Sequence, residues 1–572
     1  MIVFLSQVQV ADPVSLLAGF RRRVEEAWPN LRECASDLLI DFGVLESAVA
    51  DALCPDRDAG GPILDAFRAI SVELGHVFRG TPGRSGALLR EALDRIARCR
   101  LPPAVPVGAP EGYSHYGVYP EMYRLAAERF WVEARPASVV IIGIRSVGTS
   151  LSAVAAAELE ARGCRAPSCT VRPRGHPFDR RLHLAPEVGA LFRFSPGTFY
   201  LVVDEGPGLS GSSFLSVVDK LAEHGVPDKR IVLFPSWETS GVHLLSAGAR
   251  QRWRRYKQYS VSFEEAFPGY SRLADVSAGR WRRLFYPAGG GPAVQAQHER
   301  RKYLDCSGGE KRLLKFAGLG RYGRARLQRA QQLFEAGFGP RVHGLKNGFL
   351  LAEFAPGTPL SAGHPRALGA PDSFLDYLTH YLSWVAQNCP SGRAIPFDDL
   401  LLMIETNVSE LLGPQWTARL TALERSRGLI SSGRSIELDG RMLPHEWLAT
   451  PGGWRKTDGV EHYDDHFFPG CQDIAWDIAG VQIEFSLGGG GRDELTRRFL
   501  RFASDIALPA RLPFYRLAYL AYRAGYSAMQ ADSLKESPDG RRFRALSRRY
   551  ATLLRREIRR SPPLRTFRTA TL

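Results

Sequence analysis

Short apolar runs alternate with helical stretches in the middle of the chain, between residues 113 and 250. The runs SVVIIGI (138–144), TFYLVVDE (198–205) and RIVLFPSW (230–237) are typical of buried strands, whereas LSAVAAAELEARG (151–163) is typical of a helix. Buried strands that alternate with helices indicate a parallel sheet with crossover connections. We therefore predict an α/β domain in this region.

The pattern differs on either side of this region. Residues 1–104 have apolar positions at helical spacing, as in VSLLAGFRRRVEEAW, and predict a helical N-terminal region. Pro- and Gly-rich segments at 101–112 and 287–295 mark predicted boundaries. Beyond the second boundary, hairpins are followed by long helices. The predicted protein is therefore multidomain, with a helical region at 1–104, an α/β parallel-sheet domain at 105–288 and a two-lobed α+β domain at 296–572.

The composition is that of a soluble globular protein, with 44% hydrophobic and 24% charged residues among 572. No apolar run approaches the roughly 20 residues that a membrane span needs. The segment MIVFLSQVQVADP lacks the basic region and cleavage site of a secretion signal. The eight cysteines are scattered without the spacing of a complete zinc site. These features predict a cytoplasmic protein with reduced thiols.

The net charge of +15 is unevenly distributed. Residues 535–572 contain 12 Lys and Arg against 3 Asp and Glu, a net charge of +9. Apolar residues recur there at helical spacing: Leu546, Tyr550, Leu553, Leu554 and Ile558. This pattern favours an amphipathic helix whose basic face is solvated, so nucleic acid is an unlikely partner. Contact with RNA or with an anionic surface is the alternative interpretation.

The turn after strand 138–144 contains residues suited to a phosphate. Arg145 adds a positive charge, and Ser146, Gly148 and Thr149 are small enough to let backbone amides approach an anion. A helix follows, and a helix N-terminus attracts anions through its dipole and its unpaired N–H groups. We predict a phosphate-binding loop here.

The next distinctive strand end carries two acidic residues, Asp204 and Glu205. Carboxylates would repel a phosphate, but they are natural acceptors for the vicinal hydroxyls of a sugar. The turn that follows can bind a phosphate with backbone N–H and hydroxyl donors. Its candidate residues are Gly208, Ser210, Gly211, Ser212 and Ser213. Together, the two turns predict a site for a ribose 5-phosphate group.

These motifs resemble those of type I phosphoribosyltransferases. The acid pair with its Gly/Ser turn is similar to the phosphoribosyl diphosphate (PRPP) signature of that family, and GIRSVGTS is similar to its pyrophosphate loop. The resemblance covers about residues 113–250 and implies phosphoribosyl transfer from PRPP to a base-like nucleophile. It also implies catalysis by Asp204, Glu205 and Arg145, with Mg²⁺ held in part by Asp204.

The segment TVRPRGHPFDRR lies where that family has a mobile catalytic loop. Its basic residues are Arg172, Arg174, His176, Arg180 and Arg181. We expect Arg172 and Arg174 in particular to bind the pyrophosphate. The spacing departs from the family, because five residues separate Glu205 from Gly211 where the family usually has four. Either the turn is longer or Gly208 has a different role.

A second resemblance begins after residue 300. RLLKFAG places Lys315 near the end of a strand, and FLLAEFAPGTPL (349–360) places Glu353 between an apolar strand and a Pro/Gly turn. These segments resemble the small lobe and hinge of aminoglycoside-phosphotransferase-type kinases. The resemblance implies that Lys315 grips the phosphates of ATP and that Glu353 belongs to the hinge. The helix that would offer Lys315 a glutamate is instead rich in Arg and Gln, with Glu335 near its end.

The large-lobe motifs of that family have candidate counterparts between residues 435 and 480. By resemblance, Asp439 is the base and Asp458 is a metal ligand. His445 or Glu446 stands near the position of the family's asparagine, so His445 is a second candidate metal ligand. Asp477 is expected to be structural.

Two alternatives remain open for this region. In the first, Asp458 is the base, and Asp464, Asp465 or Asp473 binds the metal. In the second, HYDDH (462–466) is a metal cluster by itself, although such a run is more often a polar loop.

The combined motifs predict a bifunctional transferase with PRPP, ATP and Mg²⁺ as co-substrates and cofactor. One part would be a phosphoribosyltransferase, which is a glycosyltransferase of pentosyl groups, and the other would phosphorylate a small molecule. The two activities would together make or modify a nucleotide-like metabolite, with the product of one part serving as the substrate of the other. The alternative function is a PRPP-sensing regulatory protein with an inactive kinase-like domain. The expected partners are small-molecule substrates. No membrane association is expected, and formation of a homo-oligomer is left open.

Overall fold

Contacts along the chain define two compact units in the computed structural model. The N-terminal unit contains Gln7–Leu273 with Gly318–Arg324, and the C-terminal unit contains Met1–Ser6, Ala274–Ala317 and Ala325–Leu572. The structure describes residues 1–3, 8–81, 86–286, 289–361 and 373–560. Residues 287 and 288 of the second predicted boundary and residues 561–572 of the basic segment therefore lie outside the described residues.

A parallel sheet of five strands forms the centre of the N-terminal unit. In spatial order its strands are Ser168–Val171, Ser138–Ile144, Thr198–Val203, Ile231–Phe234 and Lys257–Gln258. The central strands are almost continuously apolar because helices cover both faces of a parallel sheet. The predicted parallel sheet is thus confirmed.

The sheet is accompanied by helices and by a short hairpin. The helices are Pro120–Ala134, Val147–Glu160, Pro186–Phe192, Ser212–Glu223, Ala249–Trp253 and Phe263–Ala266. The hairpin pairs Arg174–His176 with Asp179–Arg181. Val147–Glu160 is buried almost throughout, which explains why its sequence is apolar all round.

Four helices precede the sheet, as the N-terminal pattern predicts: Pro13–Ala27, Leu31–Leu53, Pro62–Arg79 and Gly86–Ala97. A strand that the pattern does not predict, Gln9–Ala11, pairs antiparallel with Val105–Val107. The third helix packs closely on Val147–Glu160, because a Cβ atom on Gly75 would lie 2.8 Å from the Ala153 carbonyl oxygen. The helical region therefore shares one unit with the sheet.

The C-terminal unit begins with an antiparallel sheet of five strands. In spatial order they are Ala274–Asp275, Lys302–Gly308, Glu310–Phe316, Phe349–Glu353 and Val342–Lys346. The helix Gly320–Glu335 connects two of these strands. A second sheet contains Thr358–Pro359, Trp447–Thr450 and Gly453–Lys456. The predicted hairpins are therefore present.

Helices make up the rest of this unit. They are Arg282–Phe285, Ser373–Asn388, Phe397–Leu412, Arg427–Ser431, Ala475–Glu484, Gly489–Leu500, Leu508–Leu534 and Pro538–Arg560. The last one is the predicted basic amphipathic helix, and it buries Phe543, Tyr550, Leu554 and Ile558 in the core. None of the helices described is both long and apolar enough to cross a bilayer.

Candidate functional sites

The two predicted ligand loops of the N-terminal unit lie side by side. Ile142 and Gly143 pair in parallel with Val202 and Val203, so both strands end at the same edge of the sheet. A Cβ atom on Gly148 would lie 2.5 Å from the Val203 carbonyl oxygen and 3.3 Å from Asp204 Oδ1. Only glycine therefore allows the helix that begins at Val147 to approach the acid pair this closely.

The backbone of the first loop is strained next to this contact. Ser146 has a φ of 109°, a conformation that residues with a side chain rarely adopt. Strained backbone of this kind is concentrated at functional sites, where the surrounding structure enforces it. Thr149 is fully buried, and its hydroxyl lies 2.8 Å from that of Ser47, so the phosphate contact predicted at Thr149 is left to its backbone amide.

The carboxyl groups of Asp204 and Glu205 are partly shielded from water, which changes their pKa values. Burial raises the pKa of Asp204 to about 7. Burial and the neighbouring charges of Asp204 and Glu111 raise the pKa of Glu205 well above its usual range. The Tyr123 hydroxyl donates to the Asp204 carbonyl oxygen at 2.5 Å. Two carboxylates that repel each other at one strand end fit a divalent cation, which would remove this repulsion.

The predicted phosphate-binding arginines are already paired with acids of the N-terminal helical region. Arg145 is only 2% exposed, with guanidinium nitrogens 2.9 Å from Asp58 Oδ1 and 3.1 Å from Asp51 Oδ1. Arg172 lies 2.5 Å from Asp51 Oδ2, and Arg174 lies 3.1 Å from Asp58 Oδ1. Arg145 is therefore a buried structural residue and not a catalytic one. Sequence reasoning missed both aspartates, because no motif marks them.

Arg180 differs from these arginines because it lies near the acid pair. Burial and the nearby charge of Arg172 lower its pKa, and Asp204 opposes this shift. His176 and Arg181 are exposed on the same hairpin.

The tip of this hairpin lies over the Gly/Ser turn. The Ser212 hydroxyl donates to the Pro177 carbonyl oxygen at 2.6 Å, and the Ser246 hydroxyl donates to that of Phe178 at 2.7 Å. Within the turn, the Ser212 amide donates to the Ser210 hydroxyl at 3.2 Å. Gly208 and Gly211 both have positive φ, and Ser213 is half-buried at the helix start. The predicted catalytic loop thus covers the predicted phosphate loop.

In the C-terminal unit, a cavity of about 790 Å³ is lined by residues of the five-stranded sheet and of the helical part. Pockets of 300–1,000 Å³ are typical of small-molecule sites. Lys315, Glu353 and Asp458 line this cavity, together with Phe354 and Ala355 of the predicted hinge. The structure therefore brings three of the predicted nucleotide-site residues together.

Lys315 is bound by two carboxylates in the cavity wall. Its Nζ lies 2.6 Å from Asp458 Oδ1 and 2.5 Å from Glu461 Oε1. Burial alone would lower the pKa of Lys315, but the two carboxylates outweigh it and raise the pKa. Burial would likewise raise the pKa of Asp458, but Lys315 and His462 hold it well below its usual range. Lys315 and Asp458 are therefore both charged near neutral pH.

The partner of Lys315 does not come from the helix Gly320–Glu335. Glu335 is exposed at the end of that helix. On the same helix, Arg326 is buried, and it donates to the Ala317 carbonyl oxygen at 2.7 Å and lies 3.2 Å from Asp464 Oδ2. Glu461, three residues after Asp458, supplies the glutamate carboxylate that pairs with Lys315. Sequence reasoning missed this residue, although the Arg-rich helix signalled that the partner had to lie elsewhere.

Asp439, the predicted base, is enclosed and does not line the cavity. It is 1% exposed. Its Oδ2 accepts from the Tyr381 hydroxyl at 2.7 Å and lies 3.2 Å from Lys456 Nζ, while Oδ1 lies 3.3 Å from His462 Nδ1. The role predicted for Asp439 is therefore not compatible with this structure, because other side chains occupy its oxygens.

Asp477 has the structural role expected for it. Its carboxylate accepts from the backbone amides of Asp439 and Gly440 at 2.9 and 2.8 Å.

A lysine pairs with both acids of one candidate metal cluster. Ligand atoms of Asp439, Glu446 and His462 lie within 4.8 Å of one another. Lys456 Nζ lies 2.7 Å from Glu446 Oε2 and 3.2 Å from Asp439 Oδ2, so an ammonium group already neutralises these carboxylates. Unlike Lys315, Lys456 does not line the cavity, and neither does Asp439, so a bound nucleotide has no access to this lysine and the group does not fit Mg²⁺.

The other predicted metal ligands have different partners. The His445 ring stacks on Trp281 at 6.2 Å between centroids, and burial lowers its pKa to about 3. His445 is a neutral imidazole, whereas Mg²⁺ prefers oxygen ligands. Asp464, Asp465 and Asp473 pair with arginines at 3.2, 3.0 and 3.1 Å. These aspartates are thus structural in the state described.

Asp458 and Glu461 fit Mg²⁺ better. Both carboxylates line the cavity. Glu461 is 2% exposed, and among the described residues its Oε2 has no hydrogen-bond partner. A buried carboxylate oxygen without a partner is rare and indicates a missing cation or donor.

Comparison with known proteins found no matching family model and no significantly similar curated protein. Similar solved structures include the choline kinase LicA from Streptococcus pneumoniae, with 13% identity and a TM-score of 0.32 over 46% of this chain and 92% of that one. A choline/ethanolamine kinase family protein from Mesorhizobium loti has 16% identity and a TM-score of 0.33 over 49% and 96% of the two chains.

A thermostable mutant of aminoglycoside phosphotransferase APH(4)-Ia, in a ternary complex with AMP-PNP and hygromycin B, has 14% identity and a TM-score of 0.30. That similarity covers 50% of this chain and 96% of that chain. TM-scores of this size carry no functional argument.

Proposed function

We propose that the C-terminal unit transfers the γ-phosphoryl group of ATP to a small molecule. The observation that carries this proposal is the Lys315–Asp458–Glu461 arrangement in the wall of the 790 Å³ cavity. Phosphoryl transfer requires positive charge against the phosphates and carboxylates for Mg²⁺, with little covalent chemistry by the protein. One lysine and two carboxylates that meet in a nucleotide-sized cavity supply both.

Each residue has a defined part in this function. Lys315 binds phosphate oxygens, and Asp458 and Glu461 hold the Mg²⁺, which neutralises phosphate charge. The acceptor's hydroxyl oxygen forms a bond to the γ-phosphorus, the bond to the ADP oxygen breaks, and the hydroxyl proton is released. Asp439 does not line the cavity and Asp458 is a metal ligand in this assignment, so the hydroxyl proton passes to solvent.

Nucleotide titration and a transfer assay test this proposal. Wild type should bind ATP with Mg²⁺ and phosphorylate at least one member of a broad panel of hydroxyl compounds. Asp458→Ala should lose transfer, whereas Lys311→Ala, which changes an exposed lysine on the same strand, should retain it. Absence of ATP binding by wild type would refute the proposal, and binding without transfer would instead favour the inactive kinase-like alternative.

We further propose that the N-terminal unit binds PRPP and transfers its phosphoribosyl group. The specific observation is the contact between Gly148 and Asp204, which joins a strained helix-start loop to the acid pair. The covering hairpin, with Arg180 near Asp204, adds positive charge where pyrophosphate would leave. Asp204 and Glu205 would hold the ribose hydroxyls and Mg²⁺.

Release of pyrophosphate in the presence of candidate bases tests this second proposal. Asp204→Asn with Glu205→Gln should abolish PRPP binding and transfer while the fold is retained. The matched control is Asp219→Asn with Glu223→Gln, two exposed acids on the helix Ser212–Glu223. An undiminished rate in the site variant would remove this assignment.

A further inference from the structure

A second group of charged residues lines the cavity of the C-terminal unit. It consists of Arg441, Arg523 and Arg549, together with Asp465 and Glu484. The ion pairs of Lys315 are with Asp458 and Glu461, and none of these five residues takes part in them. We call these five residues the arginine cluster.

Arg523 is buried with an unused donor. It is 5% exposed, and its Nη2 donates to the Tyr550 hydroxyl at 3.1 Å. Its Nε lies 3.4 Å from Glu484 Oε1, yet among the described residues it has no hydrogen-bond partner. Arg441 has the same property: its Nη2 pairs with Asp465 at 3.0 Å, and its Nε has no hydrogen bond to a described residue. Buried donors of this kind are rare unless a ligand uses them.

The cluster has more positive than negative charge. Glu484 is shared between Arg523 and Arg549, each with a guanidinium nitrogen 3.4 Å from one of its oxygens. The same carboxylate also accepts from the Tyr519 and Tyr550 hydroxyls at 2.9 and 2.8 Å. Three guanidinium groups therefore face two carboxylates, and Arg523 lies near enough to Arg441 to oppose its charge. An anion would balance this excess.

We propose that the arginine cluster is an anion-binding subsite for the acceptor and that the acceptor is a small molecule carrying a phosphate monoester. Guanidinium groups suit this ligand because their planar N–H donors bind phosphate oxygens in pairs. A cationic amine acceptor would meet an unfavourable positive charge here. The inference rests on the function proposed for the C-terminal unit and names its substrate class.

An acceptor with a phosphate monoester has to come from a reaction whose product carries that phosphate. The acceptor keeps its own phosphate at the arginines while one of its hydroxyl oxygens bonds to the γ-phosphorus of ATP, ADP leaves and the hydroxyl proton is released. Phosphoribosyl transfer, the reaction proposed for the N-terminal unit, yields products that carry such a 5′-phosphate. The second product would therefore bear two separate phosphates.

Titration of the full-length protein with inorganic phosphate and with ribose 5-phosphate tests the subsite, with Asp204→Asn and Glu205→Gln present throughout so that the predicted PRPP site does not bind these ligands. Arg441→Gln and Arg523→Gln should each weaken binding at least tenfold, while ATP binding is unchanged. Arg548→Gln, on the exposed face next to Arg549, is the matched control and should bind as wild type does. Lys315→Ala should also leave binding of ribose 5-phosphate unchanged, because Lys315 serves the nucleotide.

Several outcomes would overturn the proposal. They are equal binding by wild type and the arginine variants, a parallel loss of ATP affinity, and tighter binding of ribonate than of ribose 5-phosphate. Arg441 is less buried than Arg523, so a folded Arg441→Gln protein keeps the test decisive if Arg523→Gln unfolds. The titration with phosphate compounds needs no ATP. A wrong kinase proposal would therefore be recognised separately, because the wild-type protein would not bind ATP.

Discussion

Lys315 Nζ and Asp458 Oδ1 are 2.6 Å apart, although 143 positions separate these residues in the chain. The ion pair joins the five-stranded sheet to the segment after the strand Gly453–Lys456. Glu461 also pairs with Lys315 and supplies the carboxylate that the helix Gly320–Glu335 does not provide. A nucleotide with Mg²⁺ would exchange these contacts for contacts with phosphate and metal.

Replacing Lys315 should weaken nucleotide binding. Lys315→Ala removes a charge-assisted contact, and such contacts contribute about 1.5–3 kcal/mol, so ATP affinity should fall roughly 10- to 100-fold. Calorimetric titration with ATP and Mg²⁺ measures the change. Lys311→Ala is the control, since Lys311 is exposed on the same strand. Unchanged affinity in Lys315→Ala would contradict the assignment of the nucleotide site.

Lys456 should matter for stability because it neutralises two buried carboxylates. Lys456→Met leaves Asp439 and Glu446 without their cation and should lower the free energy of unfolding by about 3–5 kcal/mol. Urea unfolding measures this loss. Lys311→Met should have little effect.

A second variant separates charge from packing at this site. Lys456→Met combined with Glu446→Gln removes one of the unpaired charges and should recover part of the lost stability. If the double variant is no more stable than the single one, Lys456 acts through packing and not through neutralisation.

The raised pKa of Asp204 predicts a stability that falls with rising pH. In the unfolded chain this carboxyl loses its proton near pH 3.8, but in the folded protein it keeps the proton to about pH 7. The folded state therefore binds more protons between these values, and its stability decreases as the pH rises through this window.

Asp204→Asn removes this effect and should stabilise the protein at pH 8 relative to wild type, by up to about 4 kcal/mol. At pH 4 the two proteins should differ little. Unfolding by urea at both pH values provides the measurement, with Asp219→Asn as the exposed control. An equal effect of Asp204→Asn at both pH values would show that the carboxyl does not titrate abnormally.

Gly148 should be intolerant of any side chain. The Cβ atom of Gly148→Ala would lie 2.5 Å from the Val203 carbonyl oxygen, so the helix start would have to shift away from Asp204. Overpacking of this kind costs about 1–3 kcal/mol, and PRPP binding should weaken with it. Gly108→Ala is the control, because no atom lies within 4 Å of its Cβ position. Equal stability and binding in both variants would contradict the predicted contact.

Local patterns in the sequence were enough to predict an α/β domain in the middle of the chain and an α+β domain after it. Apolar runs separated by helical stretches predicted the parallel sheet, and the spacing of Tyr550, Leu554 and Ile558 predicted the amphipathic C-terminal helix. These features follow from local periodicity, because each strand or helix must bury its own apolar positions. The positions of Lys315 and Asp458 in one cavity followed from family resemblance, and the structure agrees with it.

The ion pairs could be identified only from the folded protein. Arg145 has the residue type and position of a phosphate ligand, yet Asp51 and Asp58 bury and neutralise it. Asp439 has the position of a base, yet Lys456 closes it off. Ion pairs form between residues far apart in the chain and leave no periodic signal, so the fold alone selects the partner of each charge. That selection separates the residues that can bind a ligand from those that stabilise the protein.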